Sequence, residues 1–194
     1  VNIGLDIGAI SLKLAALGKP EDRPLLQALS ESNANFRLIE GSSAATAESP
    51  LAISGYRRIA GSPIQATFDL LQELYEAVPE KRIEGIRVTG SGSRIIAKIL
   101  GIYFENEFKA IARMMGAFYP EVRTVFEIGG ESSKYMRLEP QPDAGLAGIA
   151  DYDLSGECAA GTGSFLDQQA LRMNYSIEEV GPVVSTAGCA ARIA

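Results

Sequence analysis

Asn2-Ile3-Gly4-Leu5-Asp6-Ile7-Gly8 is followed, after Ala9 and Ile10, by Ser11-Leu12-Lys13-Leu14-Ala15-Ala16-Leu17. Apolar residues alternate with small or polar ones on both sides of the turn, the two-residue period of a β-strand. Two such strands around a glycine-bearing turn read as a β-hairpin. Further along, the same unit returns: Arg123 to Ile128 is a β-branched and aromatic run that stops at Gly129-Gly130, and Ser133-Lys134-Tyr135-Met136-Arg137-Leu138 alternates again. In each unit an acid, Asp6 or Glu127, closes the first strand just before the glycine. Glycine there lets backbone amides approach a phosphate with no side chain in the way, and the carboxylate can orient a hydrated divalent cation or an attacking water. Taken singly, each turn reads as readily as an ordinary hairpin.

Between the two units, residues 18–50 are rich in Pro, Ser, Asn, Ala and Glu and read as loops with one strand at Phe36-Arg37-Leu38-Ile39. Ser62-Pro63-Ile64-Gln65 starts a helix, with Ser as cap and Pro at the first helical position. Ile64, Phe68, Leu71, Leu74 and Tyr75 continue it at helical spacing. Glu84 to Gly90 reads as a strand with a glycine turn, Ser93 to Leu100 as a helix, and Asn106 to Tyr119 as a second helix that Pro120 ends. Phe108, Ile111, Ala112, Met115 and Phe118 share one face of that helix. After the second unit, Ile149 to Leu154 is a strand, and Cys158-Ala159-Ala160-Gly161-Thr162-Gly163 leads into a helix expected to turn Phe165, Leu166, Ala170 and Met173 inward. Ser176-Ile177-Glu178-Glu179 opens a last helix with a capping box. Strands and helices in this order predict a mixed α/β architecture.

Composition narrows the chemistry. The 194 residues are 46% hydrophobic and 22% charged, enough to bury a core. A net charge of −6 argues against a nucleic-acid or anionic-membrane surface. No apolar run approaches the roughly 20 residues that span a bilayer, and no charged-then-apolar leader is seen, so the expectation is a soluble, cytoplasmic protein. The chain has no histidine, which removes imidazole bases, Ser-His-Asp triads and imidazole-ligated zinc. Hydrolysis must then run on carboxylates, backbone amides, a bound cation or thiolates. The two cysteines, Cys158 and Cys189, are expected as free thiols or metal ligands.

Together and in this order, the two units resemble the phosphate-binding hairpins of the actin-like ATPase superfamily, whose first hairpin reads Gly-x-Asp-x-Gly-Ser/Thr followed by a Lys. Gly4-Leu5-Asp6-Ile7-Gly8 and Lys13 meet that pattern, while Ala9 and Ile10 replace the hydroxyl residue and leave only Ser11 nearby. Val88-Thr89-Gly90-Ser91-Gly92, Glu127 to Lys134, and Cys158-Ala159-Ala160-Gly161-Thr162-Gly163-Ser164-Phe165-Leu166 resemble the signatures of activators of 2-hydroxyacyl-CoA dehydratases and benzoyl-CoA reductases. The second hairpin departs from the shorter activators, with Glu127 where they have Asp and Glu131-Ser132 where they have Gln-Asp.

The resemblance implies a ribonuclease H-like, actin/sugar-kinase-type ATPase fold. A first subdomain would span 1–120, and an incomplete second one 121–194. It implies ATP and magnesium between the hairpins, with Asp6 and Glu127 as catalytic carboxylates and Gly8, Ser11, Lys13, Gly90, Gly129, Gly130, Ser133 and Lys134 holding the nucleotide. It further implies a homodimer sharing one four-iron four-sulfur cluster, an acyl-CoA dehydratase or reductase as partner, and an electron donor such as ferredoxin or flavodoxin. Cys158 would be a cluster ligand, since a helix head favours the thiolate that iron binds. Cys189 would not, because the family's second ligand follows a stretch like Arg192-Ile193-Ala194. The chain is accordingly expected to be a fragment that alone binds nucleotide weakly and lacks the cluster. Glu107 reads as a helix-cap acid or a phosphate-site residue. Two other functions fit the same residues: a small-molecule kinase of the superfamily, acting on an amino sugar or acetate, and a degenerate assembly module without catalysis.

Overall fold

The computed structural model describes residues 1–39, 49–59, 61–140, 147–155 and 161–190. Strand β1 (Asn2–Ile7) pairs antiparallel with β2 (Ser11–Leu17), with Leu5 opposite Leu14, Asp6 opposite Lys13 and Ile7 opposite Leu12. That register sorts the side chains. Ile3, Leu5, Ile7, Leu12, Leu14 and Ala16 are buried on one face, and Asp6 and Lys13 stand together on the other. A slip of one residue would carry the two charged groups into the core, so burial of the leucines and isoleucines fixes where the charges stand.

Around this hairpin β3 (Phe36–Ile39), β4 (Leu51–Ser54), β6 (Gly85–Thr89) and β7 (Tyr103–Phe104) complete a sheet of order β3-β4-β2-β1-β6-β7, and β5 (Arg57–Arg58) pairs with β2. Strand β6 runs parallel to β1 and to β7; the other pairings are antiparallel. Helices α1 (Arg23–Ser32), α2 (Pro63–Ala77) and α3 (Ser93–Leu100) supply Leu26, Leu29, Leu70, Leu71, Leu74, Ile96 and Ala97 to the core under the sheet. Burying each such leucine or isoleucine contributes on the order of 1.5–3 kcal/mol before ordering costs.

Two sequence expectations change here. Residues 23–32, expected as loop, form α1: Pro24 sits in its first turn, and Leu26 and Leu29 meet the core three residues apart. Leu25, Leu26 and Leu29 do have helical spacing, but over so short a stretch, set among Pro, Ser and Asn, the period is outweighed by the loop-like composition around it. In α2, Ser62 caps as expected, its hydroxyl accepting from the Gln65 N–H at 3.2 Å. The helix is rotated, however: Thr67, Leu70, Leu71 and Leu74 face inward while Ile64, Phe68 and Tyr75 are exposed. The first sheet's core selects the stripe rich in leucine over the stripe that carries the aromatics.

A second sheet, of order β10-β9-β8, is antiparallel and built from β8 (Thr124–Ile128), β9 (Ser133–Pro140) and β10 (Ala147–Leu154). Helix α4 (Glu107–Phe118), capped by the Asn106 side chain, covers it: Phe108, Ile111, Ala112 and Met115 pack with Val125, Met136, Leu138, Ala147 and Ile149. Helix α5 (Gly163–Arg172) and helix α6 (Ile177–Ser185) follow, the latter opened by the expected Ser176–Glu179 capping box. Of the four residues expected inward on α5, Ala170 is buried, but Phe165, Leu166 and Met173 are exposed. Among the described residues the main neighbour of α5 is α6, which leaves its apolar side uncovered.

No helix among the described residues is long and apolar enough to cross a membrane.

Candidate functional site

The two hairpins are built alike at their turns. The Gly8 N–H donates to the Ser11 carbonyl at 2.9 Å, and the Gly129 N–H donates to the Ser132 carbonyl at 2.8 Å. Each turn therefore has a two-residue tip, Ala9-Ile10 in one and Gly130-Glu131 in the other, as a tight hairpin requires. Each also aligns a carboxylate with a lysine in register, Asp6 with Lys13 and Glu127 with Lys134.

The tips meet. A Cβ at Gly130 would lie 2.5 Å from Ile10 Cγ1, so glycine lets the second turn seat directly on the Ile10 side chain. Gly163 and Ser164, at the start of α5, donate to the carbonyls of Gly129 and Gly130 at 2.9 and 2.8 Å. In the first unit the Gly92 N–H likewise donates to the Ile7 carbonyl at 2.8 Å, just before α3. Gly90 makes this approach possible. Its φ is +101°, and a Cβ there would meet the Ile7 carbonyl oxygen at 2.3 Å and Asp6 Oδ1 at 2.8 Å.

Between the hairpins lies a cleft of about 1080 Å³. Of the ten residues expected at a nucleotide site, Asp6, Gly8, Ser11, Lys13, Glu127, Gly129, Gly130 and Lys134 line it. Gly90 stands behind the wall as a packing residue. Ser133 is off the lining, with its N–H donating to Ser155 Oγ at 2.8 Å and its carbonyl accepting from the Ser155 N–H at 2.8 Å. Cys158 lies outside the described residues. Cys189 is a free, exposed thiol.

The charges on the cleft wall are arranged differently in the two units. Lys13 Nζ donates to Asp6 Oδ2 at 3.3 Å and lies 5.7 Å from the Tyr56 ring centre, with both partners of the ion pair about half exposed. Lys134 Nζ donates to Glu127 Oε2 at 2.6 Å and pairs with Glu107 Oε2 at 2.9 Å, and is largely buried. Burial alone would lower the Lys134 pKa, but the hydrogen bonds and charges of Glu127 and Glu107 outweigh it and hold it above the ordinary lysine value. Glu107, which the sequence offered as a helix-cap acid or a phosphate-site residue, stands both in the first turn of α4 after the capping Asn106 and on the lining of the cleft.

Thr89, in register with Asp6, has a buried hydroxyl with no hydrogen-bond partner among the described residues, and it borders both this cleft and a second cavity of about 480 Å³ between α4 and the first sheet. Arg58 on β5 makes a two-pronged pair with Asp167 on α5, at 3.2 and 2.5 Å, which ties the first sheet to that helix.

A magnesium ion suits this donor set. The ion keeps several waters and needs only one or two protein carboxylates plus phosphate oxygens, and Asp6 and Glu127 both face the cleft. An iron–sulfur cluster does not find its ligands among the described residues, where no group of three or more acids or cysteines is gathered to hold a metal.

No family model matches the chain. It is 31% identical over 78 residues to the 2-hydroxyisocaproyl-CoA dehydratase activator of Clostridioides difficile and 32% identical over 75 residues to the activator of lactoyl-CoA dehydratase of Anaerotignum propionicum. Those stretches cover 40% and 39% of this chain and 27% of each relative. Over its whole length the chain superposes on two solved structures. The C. difficile 2-hydroxyisocaproyl-CoA dehydratase activator with bound ADPNP gives a TM-score of 0.67 at 23% identity, covering 99% of this chain and 59% of that one. Component A of the Acidaminococcus fermentans (R)-2-hydroxyglutaryl-CoA dehydratase gives 0.65 at 18%, covering 100% and 61%. The chain thus spans about three fifths of those proteins. It has the actin-like ATPase fold of the acyl-CoA dehydratase activators that it matches in sequence and in structure.

Proposed function

We propose that this chain is the phosphate-binding part of an ATP-dependent activator, one that couples ATP hydrolysis to low-potential electron transfer from an iron–sulfur cluster to an acyl-CoA dehydratase or reductase. The observation that carries the reading is the pair of like hairpins, each with a carboxylate–lysine register, facing each other across one cleft. A solved relative of the same fold holds ADPNP, a non-hydrolysed ATP analogue.

Lys13 and the backbone of the Gly8–Ser11 and Gly129–Ser132 turns bind the phosphates. Lys13 can leave Asp6 for a phosphate because the ion pair between them is long and half exposed. Asp6 and Glu127 then orient the hydrated cation and the attacking water, and fixed dipoles and charges stabilise the transferring phosphoryl group. Magnesium, when bound, supplies charge neutralisation of the phosphate oxygens.

At the level of the whole protein, the resemblance supports a cytoplasmic homodimer that takes electrons from a ferredoxin- or flavodoxin-like donor, with Cys158 as one cluster ligand. Anaerobic assay of the full-length protein, reconstituted with iron and sulfide, tests this reading. Asp6→Asn should abolish ATP hydrolysis, and Cys158→Ser should spare hydrolysis while abolishing dehydratase activation. Phosphoryl transfer to a small molecule that survives Cys158→Ser would identify a kinase instead. Absence of any hydrolysis by the wild type would identify a non-catalytic module.

A further inference from the structure

The hairpins repeat in backbone but not in charge. Around Lys13 one carboxylate faces one ammonium; around Lys134 two carboxylates from different elements, Glu127 on β8 and Glu107 on α4, face one ammonium. The Lys13 side chain is 43% exposed, the Lys134 side chain 9%. A buried ammonium with two short carboxylate contacts gains little by moving to a phosphate, because leaving would strand two negative charges beside the incoming anion.

Lys134 also determines which oxygen Glu127 presents. With Oε2 bonded to Lys134, Oε1 lies against the turn, 3.0 Å from where a Gly129 Cβ would stand. The free oxygen is thereby held beside the backbone that would receive phosphate.

We propose that the two lysines have divided roles: Lys13 grips phosphate, whereas Lys134 is a built-in cation that clamps Glu107 to Glu127 and aims the Glu127 carboxylate, so that Glu107 is a positioning residue of the site. The roles of Lys13 and Glu127 in this division rest on the ATP reading; the clamp itself does not. Because Glu107 stands in the first turn of α4, the clamp ties the helix covering the second sheet to the hairpin at the site. A Glu107 without its negative charge would leave Glu127 and Lys134 as a simple pair like Asp6 and Lys13.

Two measurements on the full-length protein test this. The first is magnesium–ADPNP affinity by calorimetry. Lys13→Met should weaken binding about 10-fold or more, the loss of a charged hydrogen bond, while Lys134→Met should stay within about threefold of wild type. Equal weakening by both variants would overturn the division. The second is NMR of the lysine ammonium groups without nucleotide. Lys134 Nζ should show couplings across hydrogen bonds to the carboxyl carbons of both Glu107 and Glu127, and Glu107→Met, which has no oxygen to accept, should remove one and keep the other. Absence of coupling to Glu107 in the wild type would overturn the clamp. A full-length wild type that binds no nucleotide but shows both couplings would refute the ATP reading, and with it the phosphate role of Lys13, while upholding the clamp.

In the full-length protein, Glu107→Gln should lower kcat for ATP hydrolysis with KM little changed, and Lys134→Arg, which keeps the cation, should retain more activity than Lys134→Met. A purely structural role would move KM and kcat without regard to charge.

Discussion

Gly90→Ala is the sharpest structural test of how the first hairpin is seated. Its φ of +101° lies beyond the left-handed helical basin, so a Cβ there costs about 1–3 kcal/mol in backbone strain alone. The added methyl would also stand 2.3 Å from the Ile7 carbonyl oxygen and 2.6 Å from its carbon. Both are backbone atoms of β1, so relief requires the strand or the turn to shift, an overpacking penalty of about 1–3 kcal/mol. The sum is about 2–6 kcal/mol, a large fraction of the stability of an ordinary domain. Gly101→Ala is the control. It too has positive φ, +64°, at the end of α3, but no atom lies within 4 Å of its built Cβ. Strain of about 1–2 kcal/mol, partly offset by a stiffer unfolded chain, should leave it near 1 kcal/mol. Urea unfolding followed by circular dichroism measures both. If the two variants differed by less than about 1 kcal/mol, the close approach of Gly90 to β1 would be refuted.

Other expectations follow from the same contacts. Gly130→Ala should destabilise by about 1–3 kcal/mol through its clash with Ile10, and Ile10→Ala should restore part of that loss in the double variant, a coupling readable in a double-mutant cycle. Arg58→Ala and Asp167→Ala should show a coupling energy of about 0.5–1 kcal/mol, since the pair is partly exposed, and each should speed hydrogen exchange in α5. Asp22 is buried, which would raise its pKa, but the Arg82 guanidinium and the Lys19 N–H hold it below the ordinary aspartate value. A depressed carboxylate stabilises the fold above its unfolded pKa of about 3.9, and that contribution is lost as pH falls through the folded pKa. Asp22→Asn should therefore flatten the acid limb of a stability–pH curve below about pH 4 and cost stability at neutral pH.

The sequence shows the hairpins clearly because a two-residue period, a glycine and an acid coincide twice. The caps at Ser62, Asn106 and Ser176 are equally legible, since capping is local chemistry between residues two or three apart. Which helix face is buried is a tertiary choice. Phe68 and Phe165 share helical spacing with core residues yet stay exposed, because the covering surface lies elsewhere or is not among the described residues. Glu107 illustrates the same limit at the site. Its role depends on a lysine 27 positions away whose distance to it, 2.9 Å, only the packing of α4 on the second sheet establishes. The asymmetry between Lys13 and Lys134 was hidden for the same reason, since both occupy the same place in the repeated pattern.

The central claim is that ATP phosphates bind between the two turns. Amide NMR of the ¹⁵N-labelled chain during titration with magnesium–ADPNP tests it most directly. The account predicts the largest shifts at residues 8–11 and 129–132, with Lys13→Met suppressing them at equal nucleotide concentration. No shifts at millimolar nucleotide, or shifts confined to the cavity between α4 and the first sheet, would contradict it.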